Sequence, residues 1–143
     1  MEYKLISDKN ELDGTCYFEF LPGKYKDKCW NDNSVFLTLD IIEIIEDLLE
    51  KSNEKYDYYD FIYFDNEQIS ILENELSKRL IEIKNSEYKL DGKRFKSIKD
   101  NEKYYKKINK DIERNRNNII EMLEKFIFWI NLNKDNGITV LGM

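Results

Sequence analysis

The sequence contains no histidine and no alanine among its 143 residues. The missing histidine removes the usual general base near neutral pH and the commonest transition-metal ligand in proteins. The five glycines form neither a G-x-G-x-x-G fingerprint nor a Walker loop, so these phosphate-binding motifs are absent from the sequence. We therefore expect a protein that is not an enzyme, with no catalytic residues, no metal and no cofactor.

Cysteines and long apolar runs are also scarce. Cys16 and Cys29 match neither a zinc-ribbon spacing nor a secreted disulfide framework, so we expect two reduced thiols. The sequence has no run of about eighteen apolar residues, which predicts no membrane span, and residues 1–13 do not resemble a secretory signal. These features indicate a cytoplasmic protein, and the length indicates a single domain over residues 1–143.

The first part of the chain has the pattern of strands followed by a helix. Alternating β-forming residues predict a strand at 15–20, and a β-branched apolar run predicts another at 34–39. Asp40 and Glu43 have the spacing of a capping box, which predicts a helix from 41 to about 51. The alternative is a single helix in place of the second strand and the helix that follows it.

An aromatic stretch, KYDYYDFIYFD, occupies residues 55–65. Six of the ten residues from 56 to 65 are aromatic, so both faces of a strand over them would carry bulky side chains. This pattern predicts an inner strand of a sheet, with Phe61, Ile62 and Phe64 buried. Only the acidic positions and the tyrosine near the start of the stretch remain as candidates for contact with a partner.

A helix is predicted after the aromatic stretch, over residues 67–85. Asp65 and Gln68 have the spacing of a capping box at its start. Apolar residues then recur at intervals of three and four and form one stripe of the helix, at Ile69, Leu72, Leu76, Leu80 and Ile83.

The remaining sequence predicts a hairpin, one or two helices and a final strand. Asp91-Gly92 suits a hairpin turn within 87–98. A second apolar stripe runs through 100–133 and fits either one bent helix or two helices, the second capped by Asn118. The tail after Asn136 reads as a strand. The order predicts an α+β fold: a single sheet of about four to six strands packed against three or four helices, with a long C-terminal helix followed by a final strand.

Charge is segregated along the chain, although the net charge is only −6. Residues 32–75 carry thirteen acids and two bases, whereas residues 84–116 carry twelve bases and six acids. The two segments could neutralise each other within the fold, or one of them could meet a partner of opposite charge. The acidic segment combined with aromatic residues suits a cationic protein partner.

The predicted partner-binding residues are acids and aromatic residues of the acidic segment and the loop beside it. They are Trp30, Asp32, Glu43, Glu46, Asp47, Glu50, Asp57, Tyr58 and Asp60. Trp30 lies in a polar loop and is either a lid over the edge of the core or an exposed anchor for a partner.

Taken together, the short acidic chain without histidine and with an aromatic and acidic patch resembles the small bacterial immunity proteins of polymorphic and contact-dependent toxin systems. The resemblance implies a protein that binds and neutralises a cognate, cationic toxin and performs no reaction. We keep two alternatives. One is a small metal-dependent carboxylate enzyme. The other is a nucleic-acid-binding protein that uses the bases of one helix, at Lys103, Lys106, Lys107, Lys110 and Arg114.

Overall fold

The structure, a computed structural model, describes residues 3–14, 16–90 and 101–143. Four antiparallel strands form one sheet in the order β2-β1-β4-β3. Their bounds are Tyr17–Pro22 for β1, Val35–Thr38 for β2, Phe61–Phe64 for β3 and Ile138–Leu141 for β4. The predicted final strand is therefore confirmed, and it lies inside the sheet between β1 and β3.

Four helices accompany the sheet in the described residues. They are α1 at Leu39–Ser52, α2 at Asn66–Lys84, α3 at Asn101–Arg114 and α4 at Arg116–Asn133, with short 3-10 turns at Lys9–Glu11 and Lys134–Asn136. The α+β fold class is confirmed. Within the described ranges, no helix has the length and apolar character needed to cross a membrane.

The main core lies between the sheet and the helices. Alternate residues of β1, such as Phe18 and Phe20, are fully buried in it, as Val140 of β4 is. The ring of Phe20 meets Phe126 of α4 edge to face at a centroid distance of 4.8 Å. One face of the sheet is thus closed by helices.

The opposite face of the sheet is covered by chain segments rather than by helices. At the edge of the sheet, Ile6 exchanges two backbone hydrogen bonds with Phe36 of β2, at 3.0 and 2.8 Å. Glu19 of β1 is only 3% exposed and accepts hydrogen bonds from the loop that precedes β2: from the backbone N–H groups of Trp30 and Asn31, the Asn31 amide and the Ser34 hydroxyl. A buried carboxylate therefore fixes this loop.

The predicted start of α2 is confirmed in its details. Asp65 accepts a hydrogen bond from the backbone N–H of Gln68, and the Gln68 side chain accepts one from the backbone N–H of Asp65. The predicted cap of α1 is wrong. Thr38 is the N-cap there, its side chain does not cap the helix, and Asp40 already lies in the first turn.

The predicted inner strand over the aromatic stretch is also wrong. Only Phe61–Phe64 form a strand, the residues before them form turns, and β3 lies at the edge of the sheet. Phe64 is fully buried and Ile62 half-buried, but Phe61 is 40% exposed and packs against Tyr25 at a centroid distance of 5.0 Å. The outer face of β3 therefore packs against a loop residue, Tyr25, and not against a second layer of the fold.

The segment 100–133 forms two helices, which settles the alternative left open by its sequence. The break is at Asn115, whose side-chain amide donates to the carbonyl of Asp111 at 2.8 Å. The predicted cap at Asn118 is wrong, because α4 begins at Arg116. The predicted hairpin at 87–98 falls mostly on 91–100 and lies outside the described residues.

Candidate binding site: a cleft of tyrosines and carboxylates

The acids of α1 form its polar stripe, in which Glu50 is exposed and the other four are half-buried. The helix buries Ile41, Ile44, Ile45, Leu48 and Leu49, so its acids, at Asp40, Glu43, Glu46, Asp47 and Glu50, project on the other side. Successive residues of a helix point about 100° apart, so Glu46 and Asp47 lie on opposite flanks of this stripe. The two flanks meet different neighbours.

The Glu46 flank borders a cleft with a volume of about 540 Å³. We call it the tyrosine cleft. Its polar lining comes from three acids of α1 and from three tyrosines: Asp40, Glu43, Glu46, Tyr58, Tyr59 and Tyr104. Leu39 and Ile42 add an apolar part. The structure thus brings the turn before β3 and the helix α3 to the same flank of α1.

Tyrosine hydroxyls bind the two glutamates of this flank. The Tyr56 hydroxyl donates to Glu46 Oε2, and the Tyr104 hydroxyl donates to Glu43 Oε1, both at 3.0 Å. Glu43 Oε2 is enclosed, and within the described residues it has no hydrogen-bond partner. One oxygen of the Glu43 carboxylate is therefore left to be satisfied.

Two tyrosines of the cleft, Tyr58 and Tyr104, are held in their neutral form. Desolvation and then the hydrogen bond from the hydroxyl to Glu43 raise the pKa of Tyr104 from an ordinary value of 10.0 to about 12. Desolvation and then the charge of Glu46 raise the pKa of Tyr58. At neutral pH the phenols therefore act as donors and as aromatic faces, and the negative charge lies on the carboxylates.

The C-terminal segment positions Tyr58. The backbone N–H of Met143 donates to the Tyr58 carbonyl at 2.9 Å, and that of Gly142 donates to the Asp60 carbonyl at 3.1 Å. A Cβ atom at Gly142 would overlap the Tyr58 carbonyl oxygen, so the close approach requires glycine. The Tyr58 ring then packs edge to face on Phe18 of β1, at 5.1 Å.

Asp57 and Asp60 lie at the corner beside the cleft, and both are exposed. Asp57 Oδ1 accepts from the backbone N–H of Tyr59 at 2.9 Å, and Asp60 Oδ1 accepts from that of Phe61 at 2.7 Å. The Asn53 amide donates to the Tyr63 carbonyl at 3.1 Å. The acids shape the turn and, with Asn53, cap backbone groups of the edge strand, which limits pairing with another strand.

The other flank of α1 has a structural partner. Arg79 of α2, whose side chain is 8% exposed, donates from Nη2 to Asp47 Oδ2 at 2.7 Å and from Nη1 to Asp47 Oδ1 at 3.2 Å. Nη1 also donates to the carbonyl of Ile44. Asp47 and Glu50 line a second cleft of about 420 Å³, away from the tyrosine cleft.

Trp30 and Asp32 lie in the loop that joins β1 to β2. This loop is at the far end of the hairpin from the start of α1. Trp30 is 39% exposed, and Asp32 is paired with Lys9 at 2.7 Å. The structure therefore divides the predicted contact residues. Glu43, Glu46 and Tyr58 line one cleft, with Asp57 and Asp60 beside it, and the other four lie elsewhere.

No sequence pattern predicted Asp40, Tyr59 or Tyr104 as contact residues. The pattern around Asp40 predicted a helix cap, and Tyr59 appeared as one ring among many on a strand. Tyr104 reaches Glu43 across sixty-one positions of sequence. The apolar stripe of α3 buries Tyr105, Ile108 and Ile112. This stripe was the one sequence pattern that indicated that Tyr104, next to Tyr105, lies near the rest of the fold.

Several acids of the segment 32–75 form ion pairs in the folded chain. In the described ranges, acids of the segment 32–75 form ion pairs with Lys9, Lys51, Lys78, Arg79 and Lys134. Each of these bases lies outside residues 84–116. The candidate nucleic-acid-binding bases on α3, Lys103, Lys106, Lys107, Lys110 and Arg114, are all exposed.

For the metal-dependent alternative, the described part of the chain holds no group of three or more His, Cys, Asp or Glu residues that could hold a metal ion. Cys16 and Cys29 are both exposed free thiols. Comparisons with protein families, with curated proteins and with solved structures found no match to this chain. The geometry of the cleft and the charge layout are therefore the grounds for a functional proposal.

Proposed function

We propose that this chain is a non-enzymatic binding protein, an immunity protein of the bacterial type that binds and neutralises a cationic toxin in the cytoplasm. The observation that supports the proposal is the tyrosine cleft. There, Glu43 and Glu46 accept hydrogen bonds from tyrosine hydroxyls and leave their charge beside the exposed rings of Tyr59 and Tyr104, which are 78% and 43% exposed.

The chemistry of this surface suits a protein partner. Tyrosine is enriched among the residues that dominate binding energy at interfaces, because it supplies a large contact area with few rotatable bonds. Acids around such residues attract a cationic partner and raise its association rate. Asp57 and Asp60 extend the acidic border of the cleft to the adjacent corner.

Capture of a partner at low salt, followed by charge reversal, tests the proposal. The wild-type chain and the variant Glu46→Lys, Asp57→Lys would be immobilised and exposed to a bacterial lysate at about 50 mM salt, where screening is weak. We expect the wild type to retain a basic domain that is toxic when expressed alone and harmless when expressed with this chain. The variant should bind that domain at least tenfold more weakly.

A second reversal serves as the matched control. Glu121→Lys with Glu124→Lys makes the same change of net charge on the exposed side of α4. It should bind the captured domain within about twofold of the wild type, apart from long-range attraction. Equal losses of binding in both variants would show that net charge alone explains the effect. Retention of nucleic acid alone would favour the alternative function, nucleic-acid binding by the exposed bases of α3.

A further inference from the structure

The tyrosine cleft has the chemistry of a receptor for a flat organic cation. Three phenol rings, of Tyr58, Tyr59 and Tyr104, line the same space as three carboxylates. The rings of Tyr58 and Tyr59 stand at 71° to each other with centroids 4.8 Å apart, so they form two walls of a corner. Aromatic faces attract cations through their quadrupole, and the carboxylates add a net negative field.

One atom of the cleft calls for a donor. Glu43 Oε2 is enclosed and, among the described residues, unpartnered, whereas Oε1 is occupied by Tyr104. An enclosed carboxylate oxygen without a hydrogen bond is costly, so a ligand that donates to it gains free energy. Tyr104, whose hydroxyl donates to the other oxygen of this carboxylate, is itself 43% exposed at the cleft.

The arrangement favours a guanidinium over an ammonium group. Glu43 and Glu46 are three positions apart on α1, which separates their Cβ atoms by about 5–6 Å. A guanidinium group is planar and carries donors on more than one edge, so it can stack on a tyrosine face and donate to both carboxylates. An ammonium group is a compact, strongly hydrated charge and gains less from flat walls.

We propose that the tyrosine cleft receives a single arginine side chain of the protein partner, with its guanidinium group stacked on the face of a tyrosine ring and hydrogen-bonded to Glu43 and Glu46. This inference rests on the proposed function and names the part of the partner that the site reads. The cleft is then the specificity pocket of the interface, and the acids at the corner contribute mainly to the rate of encounter.

The test uses L-argininamide as the probe, in an NMR titration of the full chain with labelled tyrosine rings. We expect saturable shifts of the Tyr58 and Tyr59 ring signals with argininamide. Citrullinamide, an analogue of the same shape with an uncharged side chain, should give none, and lysinamide should bind at least fivefold more weakly than argininamide. The variant Glu43→Gln, Glu46→Gln should bind argininamide at least tenfold more weakly.

The control variant Glu121→Gln, Glu124→Gln removes the same charge from α4 and should bind argininamide within twofold of the wild type. Absence of saturable shifts, equal binding of lysinamide, or an equal loss in the control would each overturn the proposal. The two proposals fail separately. If a toxin is captured through Glu46 and Asp57 but argininamide does not bind, the interface stands without this pocket. If argininamide binds but no toxin is captured, the pocket stands without the immunity role.

Discussion

Glu46 and Asp47 are adjacent residues of α1 with different surroundings. Asp47 is held by two hydrogen bonds from the guanidinium of Arg79, a cation that the fold buries between α1 and α2. Glu46 accepts a hydrogen bond from the neutral hydroxyl of Tyr56 and faces the tyrosine cleft. The first acid thus contributes to the packing of two helices, whereas the second keeps its charge on a surface lined by tyrosines.

Glu19 belongs with Asp47 as an internally bound acid, and its surroundings are more enclosed. The loop before β2 donates four hydrogen bonds to its two carboxylate oxygens, at 2.6 to 3.1 Å. The difference between these acids and those of the cleft yields a rule that can be tested. Removal of an internally bound acid or its partner should cost stability, and removal of a cleft acid should cost binding.

Replacement of the buried carboxylate at Glu19 should have the largest effect on stability. Glu19→Ala leaves the donors of Trp30, Asn31 and Ser34 without their acceptor, and hydrogen bonds to charged groups contribute about 1.5–3 kcal/mol each and are not additive. We expect the free energy of unfolding, measured by urea titration, to fall by about 3 kcal/mol. The loop should also become more susceptible to proteases.

An exposed acid provides the control for this change. Glu11→Ala alters an exposed residue of the first 3-10 turn and should change the free energy of unfolding by less than about 0.5 kcal/mol. If Glu19→Ala is as mild as this control, the carboxylate does not fix the loop.

Local sequence patterns predicted the helices and strands of this fold better than they predicted which residues pack around them. The capping box at Asp65 depends on residues three positions apart, and it forms as expected. The cap at Asp40 failed because β2 runs directly into α1, so that Thr38 takes the N-cap position. The aromatic stretch was predicted as an inner strand because it is bulky on both faces. The alternation does not show that Tyr25, which is distant in sequence, packs on Phe61 and partly covers an edge strand.

The candidate site was predictable only in part, for the same reason. Glu43 and Glu46 could be identified because acids on the polar side of an amphipathic helix are a local pattern. The partners of these acids depend on tertiary contacts. Arg79 is thirty-two positions from Asp47, and Tyr104 is sixty-one from Glu43, so no local pattern separates the structural acid from the cleft acids.

Loss of the cation at Arg79 should have the next largest effect. Arg79→Met keeps much of the apolar stem but removes the guanidinium donors to Asp47 and to the Ile44 carbonyl. Because the Asp47 side chain is 43% exposed and can be hydrated, we expect a loss of about 2 kcal/mol, less than for a fully buried pair. Urea titration measures it. Lys51→Met, which breaks a pair with 63% of the lysine side chain exposed, should cost below about 0.5 kcal/mol.

Neutralisation of the cleft acids should leave stability nearly unchanged. In Glu43→Gln, Glu46→Gln the amide oxygens can still accept from Tyr104 and Tyr56, and repulsion along the acidic stripe falls. We expect the free energy of unfolding to lie within about 0.5 kcal/mol of the wild type by urea titration. A loss as large as that of Arg79→Met would mean that these acids hold the fold together, and the contrast between the two flanks would disappear.

The last effect concerns Tyr104 and appears only at high pH. Folding raises the pKa of this phenol from 10.0 to about 12, chiefly by desolvation and then by its hydrogen bond to Glu43, so the native state holds the proton more tightly than the unfolded state does. The contribution to stability is therefore complete below pH 10 and is lost as the pH rises towards 12. We expect the urea midpoint of the wild type to fall more steeply over this range than that of Tyr104→Phe, which has no proton to lose there. Parallel curves for the two proteins between pH 10 and 12 would show that folding does not raise the pKa of this phenol.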